Sequence, residues 1–234
     1  MKSFLYLPFL SMFLFSNNAP YSQQKFQSVL DKAKLQAPLS KYDPKYSVKY
    51  GQFKNYYNKF FYLKDNNMVF FMCKNHHRSE LRFKDEWQVS TKTPKILEVK
   101  VKILPLTEKK EFTFLQIHPN GNVYPYMNKP LLRIVWYKNL RHRKNHIWAV
   151  IKNTNNANDK KYLKIDLGKN PKQFFNVKIE VKNSKLNIWL NNIKKINNFD
   201  LEYWDGYLNY FKLGVYLQDN GCAKTMFNQI KIKG

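Results

Sequence analysis

Arg78, Gln116, His118 and Tyr216 combine donors for an anion with groups that can exchange a proton. They lie in three short segments: Arg78-Ser79-Glu80-Leu81-Arg82, Gln116-Ile117-His118, and Tyr210-Phe211-Lys212-Leu213-Gly214-Val215-Tyr216-Leu217-Gln218. Each segment alternates, with polar or ionisable side chains at every second position and mostly apolar ones between. A β-strand sends successive side chains to opposite faces. Arg78, Glu80 and Arg82 therefore share one face, against Ser79, Leu81 and Phe83 on the other. Gln116 and His118 point one way and Ile117 the opposite way. In the third segment Tyr210, Lys212, Tyr216 and Gln218 line one face, while Phe211, Leu213, Val215 and Leu217 face a core. Side by side in one sheet, these strands would present a polyanion-binding surface that carries proton-transfer groups.

The three segments, in this order, resemble the signature motifs of the alginate lyases of polysaccharide lyase family 7. That family shows an Arg-(Ser/Thr)-Glu-Leu-Arg strand, a Gln-(Ile/Val)-His strand and a Tyr-Phe-Lys-x-Gly-x-Tyr-x-Gln strand. The likeness extends more weakly over most of the chain. Val29-Leu30-Asp31 to Pro38 is similar to the family's opening strand, and 60–73 to the strands before the arginine motif. Pro130-Leu131-Leu132-Arg133 and Ile147-Trp148-Ala149-Val150 fall where the family has mid-chain strands. The chain departs from the pattern in three places. Phe83 stands where relatives have glutamate, the stretch between Cys73 and Arg78 is short, and the tryptophan of the opening strand is replaced near Ala33. These departures bear on sugar preference and on the number of sugars bound.

The resemblance implies a secreted, endo-acting enzyme that cuts alginate by β-elimination, with no cofactor and no metal. The C5 proton of a uronate is removed, the bond from C4 to the glycosidic oxygen breaks, and a C4=C5 double bond remains. By that likeness Arg78 and Gln116 hold the carboxylate with help from His118, and Tyr216 protonates the leaving oxygen. In mannuronate, proton and leaving group lie on one side, so Tyr216 can serve as base and acid in turn. In guluronate they lie on opposite sides, and His118 becomes the base. Arg82, Lys212 and Gln218 are expected to bind flanking sugars, and Glu80 to sit among these substrate-binding groups as a partner that orients arginine. Ile117 is the variant associated with guluronate-containing substrate. Two rival readings remain: a lyase for another polyuronate such as glucuronan, or an inactive carbohydrate-binding jelly roll.

The chain has 234 residues, suited to one all-β domain. Lys2 precedes an apolar run from Phe4 to Phe15, followed by small or polar residues to Ser22. This pattern reads as a signal peptide over 1–19, with cleavage near Ala19 and a lyase domain over 20–234. No later stretch is long and apolar enough for a membrane helix. The formal net charge is +25, from 41 Lys plus Arg against 16 Asp plus Glu. Such a surface favours polyanions. Abundant asparagine and isoleucine alongside lysine also fit the coding bias of an AT-rich genome, so charge alone decides nothing. Nucleic acid is not the expected partner, because no helix-turn-helix, RNA-recognition or zinc-finger pattern occurs. A monomer binding an anionic uronate polysaccharide is expected. Cys73 and Cys222 are the only cysteines; export permits a disulfide between them, and two unpaired buried thiols are the alternative. His76, His77, His142 and His146 are read as surface residues, and no spacing suggests a metal site.

Strand-like runs recur from Phe60 onward: 68–73, 78–83, 96–103, 112–118, 131–136, 146–151, 162–165, 175–181, 185–190, 210–218 and 225–232. Asparagine- and glycine-rich turns separate many of them, among them 64–67, 119–121, 153–159, 183–184, 191–192 and 219–221. Residues 23–34 fit either a short amphipathic helix or, in their latter part, a strand, and 42–57 carry no periodicity. Many short strands with few helical patterns predict an all-β sandwich. The family likeness makes it a jelly-roll with a catalytic groove on one sheet.

Overall fold

The computed structural model describes residues 18–39 and 44–234. The expected leader therefore lies almost wholly outside the described residues. Within them, two antiparallel seven-stranded sheets pack face to face as a jelly-roll sandwich. The front sheet is ordered β1 (Ala33–Gln36), β4 (Arg78–Phe83), β13 (Asn209–Leu217), β6 (Glu111–Pro119), β7 (Leu132–Leu140), β8 (Arg143–Lys152) and β9 (Tyr162–Lys169). The back sheet is ordered β12 (Ile193–Asp200), β11 (Lys185–Leu190), β10 (Phe175–Lys182), β5 (Lys95–Leu106), β14 (Cys222–Lys233), β3 (Asn67–Cys73) and β2 (Phe61–Lys64). Between the sheets lies one continuous core that includes Phe70, Leu81, Ile117, Leu213, Val215 and Phe227, each at 0 % exposure.

Local chemistry explains most of the chain reversals. Four hairpins turn on two residues with positive φ, the geometry that matches strand twist in a two-residue loop. These are Asp65 and Asn66, Asn183 and Ser184, Asn191 and Asn192, and Arg141 and His142. The first three pairs carry the asparagine signal visible in sequence. Arg141 and His142 do not, because neither is asparagine or glycine, and their hairpin joins two strands longer than the runs 131–136 and 146–151 suggest. Residues 23–34 satisfy both readings in succession. A helix, α1 (Gln24–Leu30), buries Phe26, Val29 and Leu30 at helical spacing, and β1 then starts at Ala33. β12 has no counterpart in the sequence reading. It is an exposed edge strand bearing Lys194 and Lys195, without the alternation that a half-buried strand shows.

The topology sets β13 between β4 and β6, so three strands far apart in sequence become neighbours. On the back sheet Cys222 opposes Cys73, and a disulfide joins them (S–S 2.03 Å, sequence separation 149). Closing so long a loop removes denatured-state entropy worth roughly 4–5 kcal/mol in the chain-entropy account. β13 carries a bulge against β6 between Leu213 and Tyr216, while its pairing with β4 stays regular. Gly214 sits at that bulge with φ +139, and a Cβ there would lie 2.2 Å from the Ser79 carbonyl oxygen and 2.8 Å from Glu80 Cα. Only glycine lets β13 approach β4 this closely. Gly214→Ala is accordingly expected to destabilise the fold by at least about 2 kcal/mol. A urea unfolding midpoint equal to that of the parent protein would contradict this account of the bulge.

Candidate active site

Strand register assembles the site. Tyr216 on β13 opposes Arg78 on β4 and Thr113 on β6; Tyr210 opposes His118; Gly214 opposes Glu80. Lys212 stands between Arg82 on one side and Gln116 on the other. That last row continues outward to Lys34 on β1, and on the far side through Arg133 on β7 and Val150 on β8 to Lys164 on β9. Cross-strand partners share a face, so five of seven positions along one line across the sheet are cationic. A second irregularity, on β6 against β7 between Thr113 and Leu115, lets Phe114 and Leu115 both enter the core. Gln116 and His118 consequently face the groove together with Thr113, although their positions differ in parity.

Glu80 organises the centre. It is fully buried, receives a hydrogen bond from Gln116 Nε2 on Oε1, and receives one from Lys212 Nζ on Oε2 at 2.5 Å. Arg78 Nη1 lies 3.8 Å from the same Oε2. A carboxylate only accepts, so it fixes the Gln116 amide with nitrogen toward Glu80. Burial pushes the Glu80 pKa up, but the Lys212 ammonium and the Arg78 guanidinium overcome it, and the net direction is down. Burial likewise depresses Lys212, to about 8, against the pull of Glu80.

His118 is half-buried, and its Nδ1 lies 2.8 Å from the Pro119 carbonyl oxygen. That acceptor assigns the proton to Nδ1 and leaves Nε2 with a lone pair. Burial first, then the positive charge of Lys212, hold its pKa down to about 3, so the ring is neutral throughout the neutral range. Tyr210 stacks beside it, with centroids 5.7 Å apart and planes at 16°. The Arg78 guanidinium lies 4.6 Å from the Tyr216 ring centroid, and that of Arg82 lies 4.0 Å from the Tyr210 ring.

Arg78, Gln116, His118 and Tyr216 all line one cleft of about 320 Å³, together with Asn128, Lys129, Pro130, Arg133 and Tyr162. A second cleft of about 510 Å³ adjoins it, with His118 and Asn128 common to both, and includes Lys34, Gln36, Arg82, Asn120 and Tyr210. The groove thus extends to both sides of His118. The Nε atoms of Arg78, Arg82 and Arg133 are buried with no hydrogen-bond acceptor among the described residues. Three guanidinium groups lining one groove suit an anionic ligand.

Not every expected site residue reaches the groove. Glu80 and Lys212 (1 % exposed) are enclosed and paired with each other, and neither lines the cleft, although the sequence reading places both among the substrate-binding groups, Glu80 as a partner that orients arginine. Gln218 lies beyond the end of β13, where its Oε1 accepts from Thr113 Oγ1 at 2.5 Å, and it lines neither cleft. Phe83 turns to the core, and Arg82 takes its counter-charge from Glu86 at 2.9 Å, which also accepts from Asn120. His146 is half-buried against Asp166 (2.9 Å) instead of standing free at the surface. Sequence reasoning missed Lys34, Gln36, Arg133 and Tyr162. Alternation with Ala33 and Leu35, and with Leu132 and Ile134, would have placed Lys34, Gln36 and Arg133 on the polar face. Asn128 and Lys129 come from an irregular loop that carries no such signal.

A family model described as alginate lyase matches residues 29–234. The chain belongs to the alginate lyase family, polysaccharide lyase family 7. An alginate lyase from Photobacterium sp. (strain ATCC 43367) is 32% identical over 253 residues, covering 91% of this chain and 86% of that protein. Among solved structures, alginate lyase AlyC3 is similar with a TM-score of 0.81 and 28% identity, covering 92% of this chain and 95% of that one. AlyC3 is also known in complex with dimannuronate. Alginate lyase A1-II′, a member of polysaccharide lyase family 7, shares the fold at a TM-score of 0.72 and 18% identity, over 88% of this chain and 95% of its own. The protein is thus a polysaccharide lyase of the alginate lyase class.

In this lyase Glu80→Gln would keep the shape of the hub and strip its charge. It is expected to reduce kcat/KM at least about 10-fold and to destabilise the fold by about 3–5 kcal/mol, because Lys212 is left buried and unpaired. The sign of the pH dependence follows from the two shifts. Glu80, with a depressed folded pKa, contributes stability above its unfolded value and loses it as pH falls through the folded value. Lys212, depressed to about 8 even with Glu80 beside it, falls further once that carboxylate is removed, so the ammonium of the variant sheds its proton at lower pH than the parent's. The stability gap between parent and Glu80→Gln should therefore be largest at mildly acidic pH, narrow as pH falls and Glu80 of the parent is protonated, and narrow again as pH rises toward about 8. Urea unfolding across the pH range measures it, and a pH-independent gap would contradict the hub.

Proposed function

We propose that the protein is a secreted, endo-acting lyase that depolymerises alginate by β-elimination at the cleft shared by Arg78, Gln116, His118 and Tyr216. The observation that carries this reading is the convergence of those four side chains, from β4, β6 and β13, on one groove. Arg78 brings its guanidinium to the cleft, and Gln116 a second amide hydrogen beyond the one given to Glu80. Together they can hold the C5 carboxylate and stabilise the negative charge that develops when the C5 proton leaves; such donors are worth about 10²–10³ in rate each. His118 is poised as a neutral base through Nε2. A bound carboxylate would offset the cations that now depress its basicity. Tyr216, under the Arg78 guanidinium, gives its proton to the leaving oxygen, and for mannuronate can first take the C5 proton itself.

Continuation of the groove on both sides of His118, and the line of cations from Lys34 to Lys164, support internal cleavage of a long polyanion. The dimannuronate complex of AlyC3 supports mannuronate units as ligands. The leader-like start, outside the described residues, and the Cys73–Cys222 bridge support export.

Purified protein incubated with alginate should generate the ultraviolet absorbance of unsaturated uronate, and viscosity should fall before chain ends accumulate. Tyr216→Phe is expected to lower kcat by about 10²–10⁴ while retaining binding, and His118→Ala to do so on guluronate-rich blocks more than on mannuronate-rich ones. No absorbance with any uronate polymer would refute the reading.

A further inference from the structure

The outer face of the back sheet carries a feature the catalytic groove does not use. Trp189 on β11 alternates with the core residues Ile188 and Leu190, and so points away from the sandwich, half-buried. Its cross-strand neighbours are Lys178 on β10 and Lys194 on β12. Their ammonium nitrogens lie 4.3 and 4.9 Å from the same indole centroid. Asn176, Asn192 and Glu98 complete a cleft of about 270 Å³ around the ring.

We propose that this cleft is a second binding site for a uronate chain, on the face opposite the catalytic groove. The proposal rests on the alginate lyase reading for its ligand. Two like charges held against one aromatic ring repel, and an anion between them would turn that repulsion into attraction. Lys178 uses one donor on Glu180 at 2.8 Å and Lys194 one on Asn197 at 3.1 Å, so each ammonium keeps hydrogens for a ligand. Indole offers the apolar surface on which a sugar ring stacks, and the asparagine amides offer partners for its hydroxyls. A carboxylate flanked by hydroxyls on a stiff ring matches all three chemistries at once, whereas an uncharged sugar would leave Lys194, which has no carboxylate partner among the described residues, without a counter-charge. A polymer engaged at two sites gains avidity without any change at the catalytic centre.

The test uses the full-length enzyme and two double variants, Trp189→Ala with Lys194→Ser, and Lys178→Gln with Lys194→Gln; the second keeps the ring and guards against misfolding. Migration is measured in native gels cast with alginate, with DNA or with neutral dextran, and turnover is measured on polymer and on an unsaturated tetrasaccharide. Both variants are expected to lose retention in alginate and to raise KM for polymer by about 3- to 10-fold, with tetrasaccharide kcat/KM unchanged. Unchanged alginate retention in the Lys178→Gln, Lys194→Gln variant overturns the proposal, as does a loss of retention that is equal for DNA and alginate. If the parent enzyme cleaves no uronate yet retention still depends on Trp189, the catalytic reading fails and the second site stands.

Discussion

A single buried carboxylate organises the active site. Glu80 has no access to solvent, and its charge is tolerable only because Lys212 and Gln116 donate to it and Arg78 stands close by. In return it orients the Gln116 amide and holds two cations beneath the cleft that Arg78, Gln116, His118 and Tyr216 line. The same cations, after burial, keep His118 neutral. The hub works through the residues it positions. This explains why a strictly polar strand face, Arg78, Glu80 and Arg82, contains one member that lines neither cleft.

The sandwich makes that arrangement possible by bringing β13 between β4 and β6. Gly214 permits the close approach, and the bulge beside it lets Tyr216 keep its place opposite Arg78 while shifting the pairing with β6. The irregularity on β6 brings Thr113 into the same face as Gln116. Bulges that re-aim side chains next to a site are a recurrent use of the device. Behind the groove, large apolar side chains from both sheets fill the core, and the Cys73–Cys222 bridge ties the strand that leads into β4 to the strand that follows β13.

Charge acquires meaning only through this geometry. A formal excess of +25 could reflect composition alone. Register converts part of it into a line, from Lys34 through Arg82, Lys212 and Arg133 to Lys164, running across the strands along the groove. Arg82 and Arg133, two of the guanidinium groups that line the groove, stand on that line.

Alternation in the three motifs carries the all-β class and the strand faces, because side-chain direction in a strand has a period of two, and it is their resemblance to the family that singles out the four groups found at the cleft. Their family resemblance supplies the jelly-roll and the lyase class. At least one asparagine marks three of the four two-residue hairpins. What the chain alone does not reveal depends on partners distant in sequence. Whether Glu80 and Lys212 face sugar or each other is settled by the neighbour that β13 places over them. The roles of Arg133, Tyr162 and Lys34 come from strands with no motif of their own, and an edge strand such as β12, solvated on most sides, leaves no hydrophobic period to read. Local pattern determined which side chains point together; only strand order and register decided which of them line the groove and which are sealed beneath it, because each depends on a neighbour distant in sequence.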